Sequence, residues 1–349
     1  MKFSEIAEKL SPWVKISSLA EHIALDPDLH SIASIDEASA GQLSYIEGAK
    51  FANQVETTQA TALILPLNET LQAQAIARGI PWIASSDPRL LFAQAIRLFY
   101  QPFQPQPHIH PTAIIDPTAQ LGQEVSIGAH VVIQAGVVLG NQVCIHPNVV
   151  IYPQVLVGDR SLLHANCTIH ERSQLGSDCV IHSGAVIGAE GFGFVPTAQG
   201  WVKMEQSGYV VLEDGVEIGC NSTVDRPAVG ITRIGRNTKL DNLVHVAHGC
   251  QIGQNVAMAA QVGLAGGVKV GNRVILAGQV GVANQAVIGE GAIATAQAGI
   301  HNDIAAGEIV SGSPSVSNSL YLKVSAIYKR LPEMYKSLKA IQKKLGDEN

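Results

Sequence analysis

Two histidines three residues apart, His245 and His248, stand in the stretch "LDNLVHVAHGCQIG" at 240–253, with Asp241 and Asn242 just upstream. A neutral imidazole titrates near neutral pH and can take a proton from a reacting group. A nearby carboxylate such as Asp241 can hold an imidazole in one tautomer, as the acid of a catalytic triad does. The same residues also suit a plain solvated surface, and both readings stand at this point. Strand residues an odd number apart tend to face opposite sides. His245 is therefore expected to be structural or supporting, away from His248. The element that carries them is set by their neighbours. Leu240, Val246 and Ile252 fall every sixth position, which is the period of neither a helix nor a strand.

The sixfold spacing runs through most of the chain. From Ile109 it reads IHPTAI, IDPTAQ, LGQEVS, IGAHVV and onward to IHSGAV, each block opening on Ile, Leu or Val. The frame breaks over 192–211, resumes at LEDGVE, and after GITR continues to IHNDIA. Six residues make one short strand and one turn. The aliphatic at position one points inward, and a small residue at position five fits beside it. Gly, Asn and Asp supply turns with positive φ. Three sixes close a triangular coil of eighteen residues, and successive coils pair as parallel strands about 4.8 Å apart. The fold class expected is mainly β: a left-handed parallel β-helix of hexapeptide repeats over 109–306, with a loop insertion at 192–211. Its interior is filled by aliphatics, so chemistry must lie outside it.

The ends read differently. Ala60–Pro66 is a buried-strand pattern, and Pro88–Tyr100 has helical spacing at Leu91, Ala95 and Leu98. Residues 1–100 are read as a small α/β domain, followed by a Pro/Gln linker at 101–108. At the other end, 315–349 is expected to be helical. Leu320, Val324, Ile327, Leu331, Met334, Leu338, Ile341 and Leu345 alternate spacings of four and three, the seam of a coiled coil. Pro332 should break that run into two helices. The seam suits self-association; the other reading is that the helices fold back on their own β-helix.

Bulk properties narrow the class. The 349 residues are 46% hydrophobic and 15% charged, with net charge −6, which argues against a nucleic-acid binder. No apolar run is long enough to span a membrane, and the N-terminus lacks the apolar core of a signal peptide. Five cysteines without a CxxC pair suit reduced thiols in the cytoplasm.

"IGAEGFGF", "EIGCNSTVDR", "LDNLVHVAHGCQIG", "LSYIEGAKF" at 43–51 and "GSPS" at 312–315 resemble the signatures of the UDP-3-O-(3-hydroxyacyl)glucosamine N-acyltransferases of lipid A biosynthesis. The likeness follows nearly all of the chain in order. It implies a homotrimer with sites in the grooves between subunits. It implies an acyl donor on acyl carrier protein, and as acceptor the 2-amino group of a UDP-3-O-acyl-glucosamine. No cofactor is implied beyond the carrier's phosphopantetheine, and no metal. The resemblance puts the general base on His248 and gives Asp241 a supporting role. An uracil would be stacked in the N-terminal domain by Tyr45 and Phe51, where Gly48 replaces the family's Asn. Asn242 is counted with the substrate-binding residues. The family's acyl-length ruler falls at Gly299 and His301. A second family histidine, credited with the oxyanion, is replaced by Gln285, whose amide can donate a hydrogen bond but deliver no proton at neutral pH.

Two further patterns stand outside that likeness or at its edge. His146, His164 and His182 lie eighteen apart, on one line with His110, and so should stack on successive coils. The basic C-terminal tail, Lys336 and Lys339 within it, reads either as a solvated helix face or as a docking surface for the acidic carrier. Two rival readings share these residues: a related N-acyltransferase with another acyl chain or amino-sugar nucleotide, and a sugar-nucleotide-binding trimer without catalysis.

Overall fold

The computed structural model describes residues 1–20, 25–48 and 53–345. Contacts divide the chain into two units, Met1–Phe103 and Gln104–Asn349.

The first unit is built on a five-stranded sheet. Its strands are β1 (Ile16–Ser17), β2 (Ser31–Ile32), β3 (Gln42–Tyr45), β4 (Ala62–Pro66) and β5 (Trp82–Ser85), in the order β1-β5-β4-β3-β2. Only β1 runs antiparallel to its neighbour; the other pairings are parallel. The apolar run of β4 is explained by burial on both faces. Leu63 and Leu65 pack with Ile46, Leu71 and Ala75, the last two from helix α2 (Glu69–Ala77), when α1 is Phe3–Lys9. Ala62 and Ile64 pack on the other side with Phe3, Ile6, Leu91 and Ala95 from α1 and α3 (Pro88–Phe99). Both longer helices start on a side-chain cap: Asn68 accepts from Leu71 N and Asp87 from Leu90 N.

The second unit is the expected hexapeptide β-helix. Strands of mostly two residues stack into three sheets of ten, nine and twelve strands, parallel throughout except where Val316–Ser317 adds antiparallel to the last. The register is the sequence period: Val132 pairs with Val150, and Ile133 with Ile151. Positions one and five both point inward, as Ile133 and Val137 or Ile151 and Val155 show, all essentially inaccessible. Pairing begins at His108–Ile109, one residue inside the expected linker, and the last parallel rung is Ile309–Ser311. Turn residues with positive φ include Asn148, Asn166, Gln261, Arg273 and even Leu243. The rung-to-rung hydrogen bond at each turn, such as Asn148 N to Ala129 O, repays the strain in non-glycine residues.

The break in the repeat is a hairpin. Strand Val186–Glu190 runs long, then Phe194–Thr197 pairs antiparallel with Gly200–Lys203, and Tyr209–Leu212 rejoins the stack. The chain ends in α4 (Asn318–Tyr328) and α5 (Leu331–Leu345), parted just before Pro332. The seam residues do not fold back on the β-helix. Leu320, Val324, Leu331, Met334 and Leu338 are each about half exposed, from 47% to 55%.

Candidate active site

His245 and His248 sit on the ten-stranded sheet. His245 closes a block of six and Val246 opens the next, so His245 points outward while Val246 is buried. His248 follows in the turn. The two histidines line one groove of about 630 Å³, together with Phe192, Asp225 and His301. This corrects the expectation that His245 faces away from His248. Strand alternation holds within a strand, but here the strand is His245–Val246 and His248 lies beyond it.

Glycines give His248 its place. A Cβ at Gly266, one coil on, would lie 2.5 Å from the ring Cε1 and 2.8 Å from Nε2, so the imidazole rests on bare backbone. A Cβ at Gly191 would meet the His248 Cβ at 2.6 Å. No protein hydrogen bond reaches the His248 ring among the described residues. The floor of the groove carries a second set. His245 is followed at intervals of eighteen by Gly263, Gly281 and Gly299, paired strand to strand. At Gly263 and Gly281 an added Cβ would meet nothing within 4 Å. The result is a trough with apolar walls, about 14 Å from His245 to Gly299 at three rung spacings. Gly299 and His301 close its far end with Ser313.

A residue without an assigned role in the sequence completes the near end. Asp225 is 5% exposed, and its Oδ2 lies 3.0 Å from His245 Nε2. Strand Thr223–Arg226 is twice the usual length, and its neighbour Val186–Glu190 bulges between Ile187 and Ala189, where they face Val224 and Asp225. Thr232 Oγ1 donates to the Asp225 carbonyl oxygen at 2.6 Å. The hydrogen bond to Asp225 raises the His245 pKa above the ordinary histidine value; burial opposes it, and the Asp225 charge adds to it. Next in sequence, Arg226 is buried and lies 2.6 Å from Glu171 and 3.5 Å from Glu190. Glu190 also meets Lys203 of the hairpin at 2.7 Å. Burial works to raise the Glu171 pKa, but the Arg226 hydrogen bond and charge outweigh it, and the net direction is down.

The other sequence candidates lie elsewhere. Asp241 and Asn242 follow strand Lys239–Leu240 of the twelve-stranded sheet and line a separate groove of about 640 Å³ with His182, Glu217 and Lys239. Asp241 Oδ1 accepts from Asn242 N, and Asn242 Oδ1 accepts from Cys220 N. Seven residues carry the chain round one corner, so Asp241 and His248 belong to adjacent faces. Gln285 occupies the fourth position of its six, in a turn with φ 60°, and is exposed outside the residues that line the His248 groove. Tyr45 stacks one face on Phe92, with ring centroids 4.4 Å apart. Phe51 lies outside the described residues. Lys336 and Lys339 are exposed on α5, Lys339 over the Tyr335 ring.

The histidine line is a stack of rings. The ring centroids of His146 and His164 are 5.1 Å apart and those of His164 and His182 4.9 Å, with the ring planes nearly parallel in each case. His182 Nε2 pairs with Glu217 at 2.8 Å. Burial, then the neighbouring rings, lowers the His164 pKa. Among the described residues no three His, Cys, Asp or Glu side chains converge as a metal site would require.

A coil of hexapeptides with an open imidazole above an apolar trough defines a hexapeptide-repeat acyltransferase. Residues 231–266 match the bacterial transferase hexapeptide model, and 103–190 match the GMPPB C-terminal domain. Residues 26–98 match the model of UDP-3-O-(3-hydroxymyristoyl) glucosamine N-acyltransferase, LpxD. A UDP-3-O-acylglucosamine N-acyltransferase of Gloeothece citriformis is 72% identical over 99% of both chains. Those of Rippkaea orientalis and Synechocystis are 70% and 65% identical over 98% or more of each chain. The chain belongs to the UDP-3-O-acylglucosamine N-acyltransferase family, and it is an N-acyltransferase. The fold is shared with an Arabidopsis UDP-N-acetylglucosamine acyltransferase, at a TM-score of 0.55 and 23% identity over 69% of this chain and 85% of that one. No helix among the described residues is long and apolar enough to cross a membrane.

Proposed function

We propose that this enzyme transfers a 3-hydroxyacyl chain from acyl carrier protein to the 2-amino group of a UDP-3-O-acyl-glucosamine, with His248 as general base. One observation carries the reading: the unpartnered His248 ring stands at the head of a glycine-floored apolar trough that an extended acyl chain can enter. The amine lone pair attacks the thioester carbonyl carbon, a C–N bond forms, and the C=O pair moves to oxygen. His248 takes the N–H proton. Collapse breaks the C–S bond, and the proton passes to the departing thiolate, leaving an amide and a thiol. No covalent enzyme intermediate is needed, because the thioester is already activated.

The catalytic unit is a homotrimer. The exposed seam of α4 and α5 supports it, and so does the division of the candidates between two faces. In a cyclic assembly, the Asp241 face of one copy meets the His248 face of the next. A uracil stacks on Tyr45, and the lysines of α5 meet the acidic carrier. Mass spectrometry of products from acyl carrier protein and UDP-3-O-acylglucosamine tests the whole. N-acylated product that disappears in His248→Ala is the expected result. An acceptor with a free 3-hydroxyl that works equally well would overturn the choice of substrate.

A further inference from the structure

We infer that His245, held by Asp225, is a second catalytic imidazole, which donates a hydrogen bond from Nδ1–H to the acyl carbonyl oxygen as that oxygen gains charge. The inference rests on the reading of His248 as base and deepens it. Four observations carry it. His245 and His248 line the same groove. Asp225 engages Nε2, which leaves Nδ1 as the ring nitrogen without a protein partner among the described residues. Asp225 is nearly inaccessible while His245 is 54% exposed on its side chain, so a buried carboxylate backs a ring that faces the groove. Gln285, the other candidate donor for this oxygen, lies outside the groove.

The chemistry follows from the pairing. A carboxylate in a low-dielectric wall is costly unless hydrogen-bonded, and a charged imidazole is its best partner. Asp225 thereby keeps His245 in the imidazolium form to higher pH than an ordinary histidine. An imidazolium has two N–H donors; Asp225 takes one, and the other is free for an oxyanion. The strands beside His245 add no competing charge at the ring. Gly263 follows on one side, and on the other Arg226 turns its guanidinium to Glu171 and Glu190. The remaining titratable groups of the groove are His248 and His301. His245 gives up no proton in the step. It stabilises the tetrahedral adduct while neutral His248 takes the amine proton, so the two rings work in opposite charge states.

The test is kcat against pH for the full-length enzyme with 3-hydroxyacyl-loaded acyl carrier protein and UDP-3-O-acylglucosamine, both saturating. Because the His245 pKa is raised, its charge persists below that pKa and is lost as pH climbs through it. Activity should therefore fall on the alkaline side. His245→Gln should lower kcat by roughly 10²–10³-fold, the usual worth of one oxyanion donor, with KM nearly unchanged and that alkaline limb gone. Asp225→Asn should move the limb to lower pH. Ring NMR titration of His245 in the resting enzyme should show the same downward move without any turnover. A His245→Gln enzyme with wild-type kcat and an intact alkaline limb overturns the inference. Failure of the base reading shows separately, as an acidic limb and rate unchanged in His248→Ala.

Discussion

Gly266→Ala tests whether the position of the His248 ring governs the rate. The alanine Cβ would sit 2.5 Å from Cε1 and 2.8 Å from Nε2. Ordinary carbon contacts begin at about 3.5 Å, so the ring must move by about 1 Å or swing away. A displacement of about 1 Å in a reacting group costs on the order of 10²-fold in rate, and kcat should fall by that much. Stability should not fall with it. The Gly266 backbone is not in the left-handed region that alanine avoids, and replacing glycine narrows the unfolded ensemble. Gly263→Ala is the matched control, since its Cβ meets nothing within 4 Å; it should leave kcat near wild type and act, if at all, on KM for the acyl donor. The assay is steady-state N-acylation beside a thermal melt. A Gly266→Ala enzyme with unchanged kcat and unchanged melting would show that the ring is free to reposition, and the argument from the glycine seat would fall.

His248→Ala should lower kcat by roughly 10²–10⁴-fold, as expected for loss of a general base, with little change in sugar-nucleotide binding measured by calorimetry. If each site joins two copies, mixing His248→Ala with Asp241→Ala subunits should restore activity in about a quarter of the sites by random assortment in a cyclic trimer; no gain on subunit exchange would refute a shared site. Glu171→Gln should lower the melting temperature by a few degrees at pH 7, because it leaves buried Arg226 short of a partner. The Glu171 pKa is depressed, so that stabilisation is present above the ordinary value of 4.5 and fades as pH falls below it; a difference that persisted unchanged at pH 3 would refute the ion-pair origin. Charge reversal at Lys336 and Lys339 should slow carrier association, and the wild-type rate should drop as the Debye length shrinks from about 10 Å at 0.1 M to about 3 Å at 1 M salt. Stopped-flow association rates unaffected by both changes would leave the tail as a solvated helix.

Most of the architecture was legible because the repeat is a direct record of burial. An aliphatic every six residues has one geometric solution per coil, and Val132 pairs with Val150 as the arithmetic requires. The hairpin at Phe194–Lys203 was visible only as a loss of that record, since its exposed side chains follow no core. The site was less legible, for a reason the same repeat supplies. In a long strand, parity decides which residues share a face. Here each strand is two residues, and parity is reset at every turn. Position within the six is the better coordinate. Residues six and two flank the buried residue one and point outward together, so His245 and Asp225, on neighbouring coils, come into contact. Residue three stands at the corner of the same face and holds His248 above Gly266. Residue four is the turn tip, where Gln285 is exposed against Gly267 and is not among the residues lining the groove. The same coordinate moves Asp241, at position two of the preceding six, to the adjacent face. A single β-helix therefore presents the two aspartates of the sequence motifs, Asp225 and Asp241, to different grooves. Only the first touches an imidazole of its own chain, and the second can reach His248 only through another copy.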